Sequence, residues 1–230
     1  MSRVLHVVAE GHGEQDFLWQ SVIPHLGRLG VEARPMLVGK TGHKGGVRPW
    51  SQVRDDACRL LKMHRHDRPV YVSTLFDYYG LKSDWPGFTQ ARALPVPASP
   101  ASRALCIQTA LHADVCQALN ANFNPAQFIP YIQMHELEAL ILAQPDKLKE
   151  EFPDRSTEVE AICESIVGMD PEAVNDGLDT HPAARIIAQI PEYEGRKRSA
   201  AANVLAAIGL PTIRGRCPLF GAWLAQLETI

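Results

Sequence analysis

The sequence predicts an α/β fold, a parallel sheet flanked by helices, with an α-helical C-terminal extension. Three observations carry this. Over residues 1–145 apolar strand-like runs alternate with amphipathic helical runs, the order that right-handed crossovers fold into a parallel sheet. The strand runs are continuously apolar rather than alternating, as strands covered on both faces are. Beyond Pro145 helical patterns continue between Pro and Gly punctuation with no convincing strand. The expected division is 1–145 for the α/β domain and 146–230 for a helical extension packed on it.

The first strand is Val4 to Ala9, ending at Glu10. A short Gly-flanked turn leads to Glu14 and a helix with Leu18, Val22 and Leu26 on one face. Val31 to Val38 reads as the second strand, followed by a loop rich in glycine and cations, Gly39 to Arg48. Trp50 to His64 is a helix with Val53, Ala57, Leu60 and Leu61 inward. Pro69 to Phe76 is the third strand, ending at Asp77. From Tyr78 to Arg103 periodicity is lost among Pro, Gly and Ser, the mark of a functional or mobile loop. A helix resumes with Ala104, Ile107, Leu111, Val115 and Leu119. Phe128 to Met134 is the fourth strand, and His135 to Leu142 opens the next helix directly. Later helices break near Pro153, Pro171, Pro182 and Pro211. The last puts Phe220, Trp223, Leu224 and Leu227 on one face, docked on the body. The densest basic run, Gly195-Arg196-Lys197-Arg198, lies among these helices, with Arg214 and Arg216 further on.

A chain of 230 residues with 46% hydrophobic residues buries an ample core without disulfides or metal. The net charge of −3 argues against a cation-coated surface for bulk nucleic-acid binding and leaves room for a local basic groove. Five cysteines, at 58, 106, 116, 163 and 217, form no CxxC pair, which speaks against a disulfide framework or a Cys-rich zinc site and for a reducing cytoplasm. There is no signal-peptide pattern and no bilayer-length apolar segment, so a cytoplasmic protein without membrane contact is expected.

Several motifs fail on inspection. Gly39-Lys40-Thr41 lacks the earlier glycine of a phosphate-binding loop, since Arg34 stands there. His135-Glu136 lacks the second histidine of a zinc-protease helix, which would fall at Ala139. Gly11-His12-Gly13 has Asp16 where a dinucleotide fingerprint needs a third glycine. No Gly-x-Ser-x-Gly elbow is present, and His64-x-His66 reads as solvated helix-end polarity.

What survives is a set of acids at strand ends: Glu10 with Glu14, Asp77, and Glu136 with Glu138. In an open α/β sheet these ends face the ligand crevice. Converging carboxylates cannot all ionise without compensation. A hard divalent cation supplies it, and oxygen-only ligands select Mg²⁺ or Mn²⁺. Two such ions about 4 Å apart suit phosphodiester hydrolysis. The plainer alternatives are that Glu10 and Glu14 favour the helix start electrostatically, or that the acids pair with Lys40, Lys44, Arg48 or Lys82. Lys40, Lys44 and Arg48 are the candidate phosphate-binding residues, because glycines let the backbone approach an anion that the cations neutralise. Tyr78, Tyr79 and Trp85 either stack on unpaired bases or pack the loop onto the body.

At these residues the chain resembles the prokaryotic family of unknown function DUF 4276, which is related in pattern to Toprim-type domains. The matching pieces are Glu10-Gly11 with Glu14 and Phe17, then Leu75 to Leu81, and Pro86-Gly87. Pro130 to Gln133, His135-Glu136 and Glu138 to Leu140 match as well. So do Asn175-Asp176-Gly177 with Asp179-Thr180 and Pro182, and the ending Ile208 to Leu210 with Ile213-Arg214 and Cys217-Pro218.

The resemblance implies a Toprim-like sheet similar to overcoming-lysogenisation-type nuclease domains. It implies a Mg²⁺-dependent endonuclease with Glu10, Asp77 and Glu136 as metal ligands and Glu14 and Glu138 as ligand or general base. Tyr79 stands where an Asp-x-Asp pair would have its second aspartate. Either Glu136 or Glu138 replaces it, or one ion binds weakly, or catalysis is lost. The implied partners are nucleic acid, DNA ahead of RNA, and an ATPase protein in antiviral defence. The alternative is a non-catalytic subunit of an ATPase complex. Asn175, Asp176 and Asp179 read as a helix cap rather than a partner site.

Overall fold

The computed structural model describes residues 3–38, 47–63, 68–95, 99–120, 123–174, 177 and 179–230. Strands β1 (Arg3–Ala9), β2 (Val31–Leu37), β3 (Val70–Asp77), β4 (Phe128–Ile129) and β5 (Ile132–Gln133) form one parallel sheet. Its order is β2-β1-β3-β4, with β5 also on β3. The α/β class is therefore as the alternation of runs predicts.

The fourth strand departs from expectation by splitting. Pro130 has no N–H to give the ladder. The Thr74 hydroxyl fills in, donating to the Tyr131 carbonyl (2.9 Å) while accepting from the Tyr131 N–H (2.8 Å). Pairing then resumes at Phe76 with Ile132 and Asp77 with Gln133.

One face of the sheet is covered by α3 (Trp50–Leu61), α4 (Phe88–Ala93) and α5 (Pro100–Leu119), around Val8, Val72 and Phe76. The stretch after Asp77 is thus more ordered than its composition suggests. Trp85 is 1% exposed, packs on Phe76 and Trp50, and donates its indole N–H to the Arg48 carbonyl (3.1 Å). Of the two roles open to Trp85, packing is the one it fills.

The other face, around Leu5, Val7 and Ala9, is covered from both ends of the chain. After β1 come α1 (His12–Phe17), a π-helical turn (Leu18–Val22) and α2 (Ile23–Arg28). The C-terminal helices α6 (Leu148–Glu151), α7 (Ser156–Ser165), α8 (Pro182–Gln189), α9 (Tyr193–Ile208), α10 (Leu210–Arg216) and α11 (Pro218–Glu228) follow. The spacing of Phe220, Trp223, Leu224 and Leu227 on α11 buries all four side chains. Trp223 stacks on Tyr131 at 4.6 Å and donates its indole N–H to Ser73 Oγ (2.9 Å). Glu172, itself buried, accepts from the Leu219 and Phe220 N–H groups at the start of α11 (2.7 and 2.9 Å). No helix among the described residues is long and apolar enough to cross a membrane.

Candidate active site

Glu10 follows the last residue of β1, with its N–H bonded to the Leu75 carbonyl (3.1 Å), so β3 fixes its height at the carboxyl edge of the sheet. Its Oε2 accepts from the Asp77 N–H (3.2 Å). Glu10 therefore serves β3 rather than capping α1. The turn after Asp77 leaves little room around Glu10. A Cβ on Gly80 would stand 2.6 Å from Val47 Cγ2 and 3.2 Å from Glu10 Oε1. Glu14 lies in the first turn of α1, where the nearby Gly11 N–H and its own favour its charged form, so the helix-start reading holds in part for this residue.

Asp77 ends β3 at the centre of the group. Its Oδ1 is buried and has no hydrogen-bond partner among the described residues. Burial, then the charges of Glu14, Glu10, Glu138 and Glu136, hold its carboxyl well above the usual range. The other four acids are thus near enough for their charges to act on Asp77, which ends its strand on the edge where Glu10 also lies.

Glu136 and Glu138 arrive on a different element from the expected α-helix. His135 has a left-handed backbone (φ 63°), and Leu137–Ala143 is a 3₁₀ run with all seven residues buried. Burial on every side, rather than an amphipathic stripe, governs this segment. Glu136 Oε1 accepts from the Ala183 N–H at the start of α8 (2.7 Å) and lies 2.6 Å from His181 Nδ1. Its Oε2 accepts from Lys197 Nζ (3.1 Å), and Glu138 Oε1 lies 3.3 Å from the same ammonium. The Tyr193 hydroxyl donates to Glu138 Oε1 (3.1 Å). Tyr193 and Lys197 are four residues apart on α9, hence on one face of it.

Lys197 divides the acids into two groups. Burial raises the Glu136 carboxyl, but Lys197, the Ala183 N–H and His181 outweigh it and hold it below the usual range. Glu138 is pushed up to about 7 by burial, with Lys197 opposing. Glu10 is pushed up to about 7 by burial and then by Glu14. Glu14 is raised too, by burial first. Burial alone would lower Lys197, yet Glu138 and Glu136 carry it above the ordinary lysine range. A hard cation fits the Glu10, Glu14 and Asp77 donors, which are all carboxylate oxygens, with Asp77 Oδ1 buried and unpartnered among the described residues. Among the described residues, however, no group of three or more His, Cys, Asp or Glu already stands in position to hold a metal ion.

The other expected residues lie elsewhere. Lys40 and Lys44 fall outside the described residues, as do Asn175 and Asp176. Arg48 is half-buried just before α3. The cap expected at Asp179 is corrected. Asp179 is exposed and precedes the helix, while His181 occupies the N-cap of α8 and Glu136 takes the Ala183 N–H. Tyr79 does not join the acids. It is 44% exposed, with its ring 5.2 Å from that of His181.

Sequence reasoning missed Lys197 and His181. The signal for Lys197 was the basic run on α9. Consecutive helical residues point about 100° apart. Arg196 accordingly meets Glu151, Lys197 meets Glu136 and Glu138, and Arg198 grips Asp16 of α1 with two bonds (2.5 and 3.0 Å). Nothing in the local pattern marks His181.

These features define a parallel α/β protein with an acidic, lysine-bearing site at the carboxyl edge of its sheet. The family model described as "Domain of unknown function (DUF4276)" matches residues 9–228, and the chain belongs to that family. The C-terminal region of the Xanthomonas campestris pv. campestris OLD protein is similar at 12% identity and a TM-score of 0.36, over 100% of this chain and 95% of that one. No curated protein matches the chain.

Proposed function

We propose that this protein is a Toprim-like, metal-dependent hydrolase of nucleic-acid phosphodiester bonds. The observation that carries the reading is the placement of Glu10 and Asp77 at the ends of neighbouring strands, joined by the bond from the Asp77 N–H to Glu10, with Asp77 Oδ1 buried and unpartnered among the described residues. Glu10 and Asp77 would hold Mg²⁺ or Mn²⁺, with Glu14 as a third ligand or as the base. The ion would polarise the phosphoryl oxygen and lower the pKa of the attacking water. Glu136 and Glu138 hold Lys197, whose side chain is half-exposed, at the rim, where it would face a phosphate. Glu138, pushed up to about 7, would be poised to take or give a proton at neutral pH.

DNA is the first substrate to test, and an ATPase partner would deliver or license it. A non-catalytic role in an ATPase complex is the second reading. It is favoured by Glu136, which spends both oxygens on protein partners.

Plasmid nicking with Mg²⁺ or Mn²⁺ separates the two. The wild type should nick, and Glu10→Gln or Asp77→Asn should each lose about 100-fold or more, as losses of transition-state charge stabilisation do. Calorimetric titration with Mn²⁺ should show binding to the wild type that Asp77→Asn abolishes. Equal trace activity in all three proteins would sink the hydrolase reading.

A further inference from the structure

Next to the acidic edge lies a recess of about 560 Å³, lined by Tyr78, Tyr79, Leu81, Phe88, Arg92 and Arg103. Tyr79 is the wall the two sites share: it borders the recess on one side and meets His181, the partner of Glu136, on the other. The recess carries the opposite charge. Arg103 is half-buried and fixed by a bond from Nη1 to the Ala91 carbonyl (3.0 Å). Arg92 sits with its guanidinium carbon 5.7 Å from the Phe88 ring centre, and Phe88 packs on Tyr78. Among the described residues neither arginine is paired with a carboxylate. Two unpaired guanidinium groups in an aromatic-walled hollow suit a phosphate, because the fork of N–H donors matches its oxygens. An exposed tyrosine beside them suits a base.

We propose that this recess binds an unpaired nucleic-acid strand next to the scissile phosphodiester. Arg92 and Arg103 take a backbone phosphate and Tyr79 stacks the neighbouring base. The inference rests on the hydrolase reading and names its substrate as single-stranded or locally opened. A base inside a duplex is already stacked on its neighbours and reaches Tyr79 only by leaving them. The acidic site repels a phosphate until a cation is bound, so the part of the metal-free strand affinity that depends on Arg92 and Tyr79 belongs to the recess.

The test is fluorescence anisotropy of the full chain with a labelled oligothymidylate and with a hairpin duplex of equal length, both in EDTA. The wild type should bind the single strand more tightly than the duplex. Arg92→Ala should raise Kd about tenfold and lower the slope of log K against log salt by about 0.7, the value for one phosphate contact on a single strand. Tyr79→Leu should weaken binding with the slope unchanged, and Arg92→Lys should restore the slope. Equal affinity and slope in wild type, Arg92→Ala and Tyr79→Leu would overturn the proposal, as would tighter binding of the duplex. Asp77→Asn keeps the two readings apart, since it should abolish nicking while leaving strand binding in EDTA intact. Arg92-dependent binding without nicking in any metal would overturn the hydrolase and leave the recess standing.

Discussion

Lys197 compensates part of the charge at the acidic edge, and it does so from a helix distant in sequence. Its removal leaves Glu136 and Glu138 buried and facing one another, and breaking a pair whose acids are buried is costly. Half of the lysine side chain is in solvent, which moderates the loss. Lys197→Met should destabilise the protein by about 2–3 kcal/mol near pH 8. The deficit should shrink toward about pH 5.5, because carboxyls raised further by the loss of their cation are then protonated in the folded state. Urea unfolding at the two pH values checks this. A deficit equal at both would mean that Lys197 acts through packing instead. The lysine was not legible as a site residue because its neighbours in the basic run serve unrelated acids. Only the fold tells the three cations apart.

The acids were legible because each ends or follows a strand-like run, and the parallel order places such ends at one edge. What stood on either side of Pro130 was not legible. A seven-residue apolar run reads as one strand, but the proline removes a ladder donor, and the repair comes from a hydroxyl on β3. Thr74→Val keeps the shape and strands the buried Tyr131 N–H. It should cost about 1–3 kcal/mol, measured as a lower denaturant midpoint with an unchanged slope. No change in midpoint would show that the ladder tolerates the gap. The 3₁₀ run carrying Glu138 escaped for a related reason: with all seven residues buried, no polar stripe marks its period. The long segment after Asp77 looked loose because its anchors, Trp85 and Ser99, are single residues. Ser99 caps α5 by accepting the Ser102 N–H (3.1 Å), a signal five residues ahead of Ala104, the first apolar residue used to place that helix.

For the molecule as a whole, three carboxyls, the half-buried Glu10 and the buried Glu138 and Glu172, are pushed up to about 7. Each binds its proton more tightly folded than unfolded. Its stabilisation is complete below the unfolded value near 4.5 and is lost as pH rises through about 7. The melting temperature should therefore be higher near pH 5.5 than near pH 8, the reverse of proteins held by ionised carboxylates. Glu172→Gln should flatten that dependence, because it removes one titrating group. Millimolar Mn²⁺ at the higher pH should restore part of the loss in both proteins, since Glu172 lies outside the acidic group. Thermal melts across the range decide the matter, and a melting temperature that climbs steadily from pH 5.5 to 8 would contradict the electrostatics described.

The π-helical turn at Leu18–Val22 carries about one residue more than an α-helical turn making the same rotation. Excising one residue there should therefore leave a continuous α-helix, with Glu14 on the face it now occupies and Val22 and Leu26 still seated on the sheet. This bend is where the protein should absorb a one-residue deletion without displacing a carboxylate.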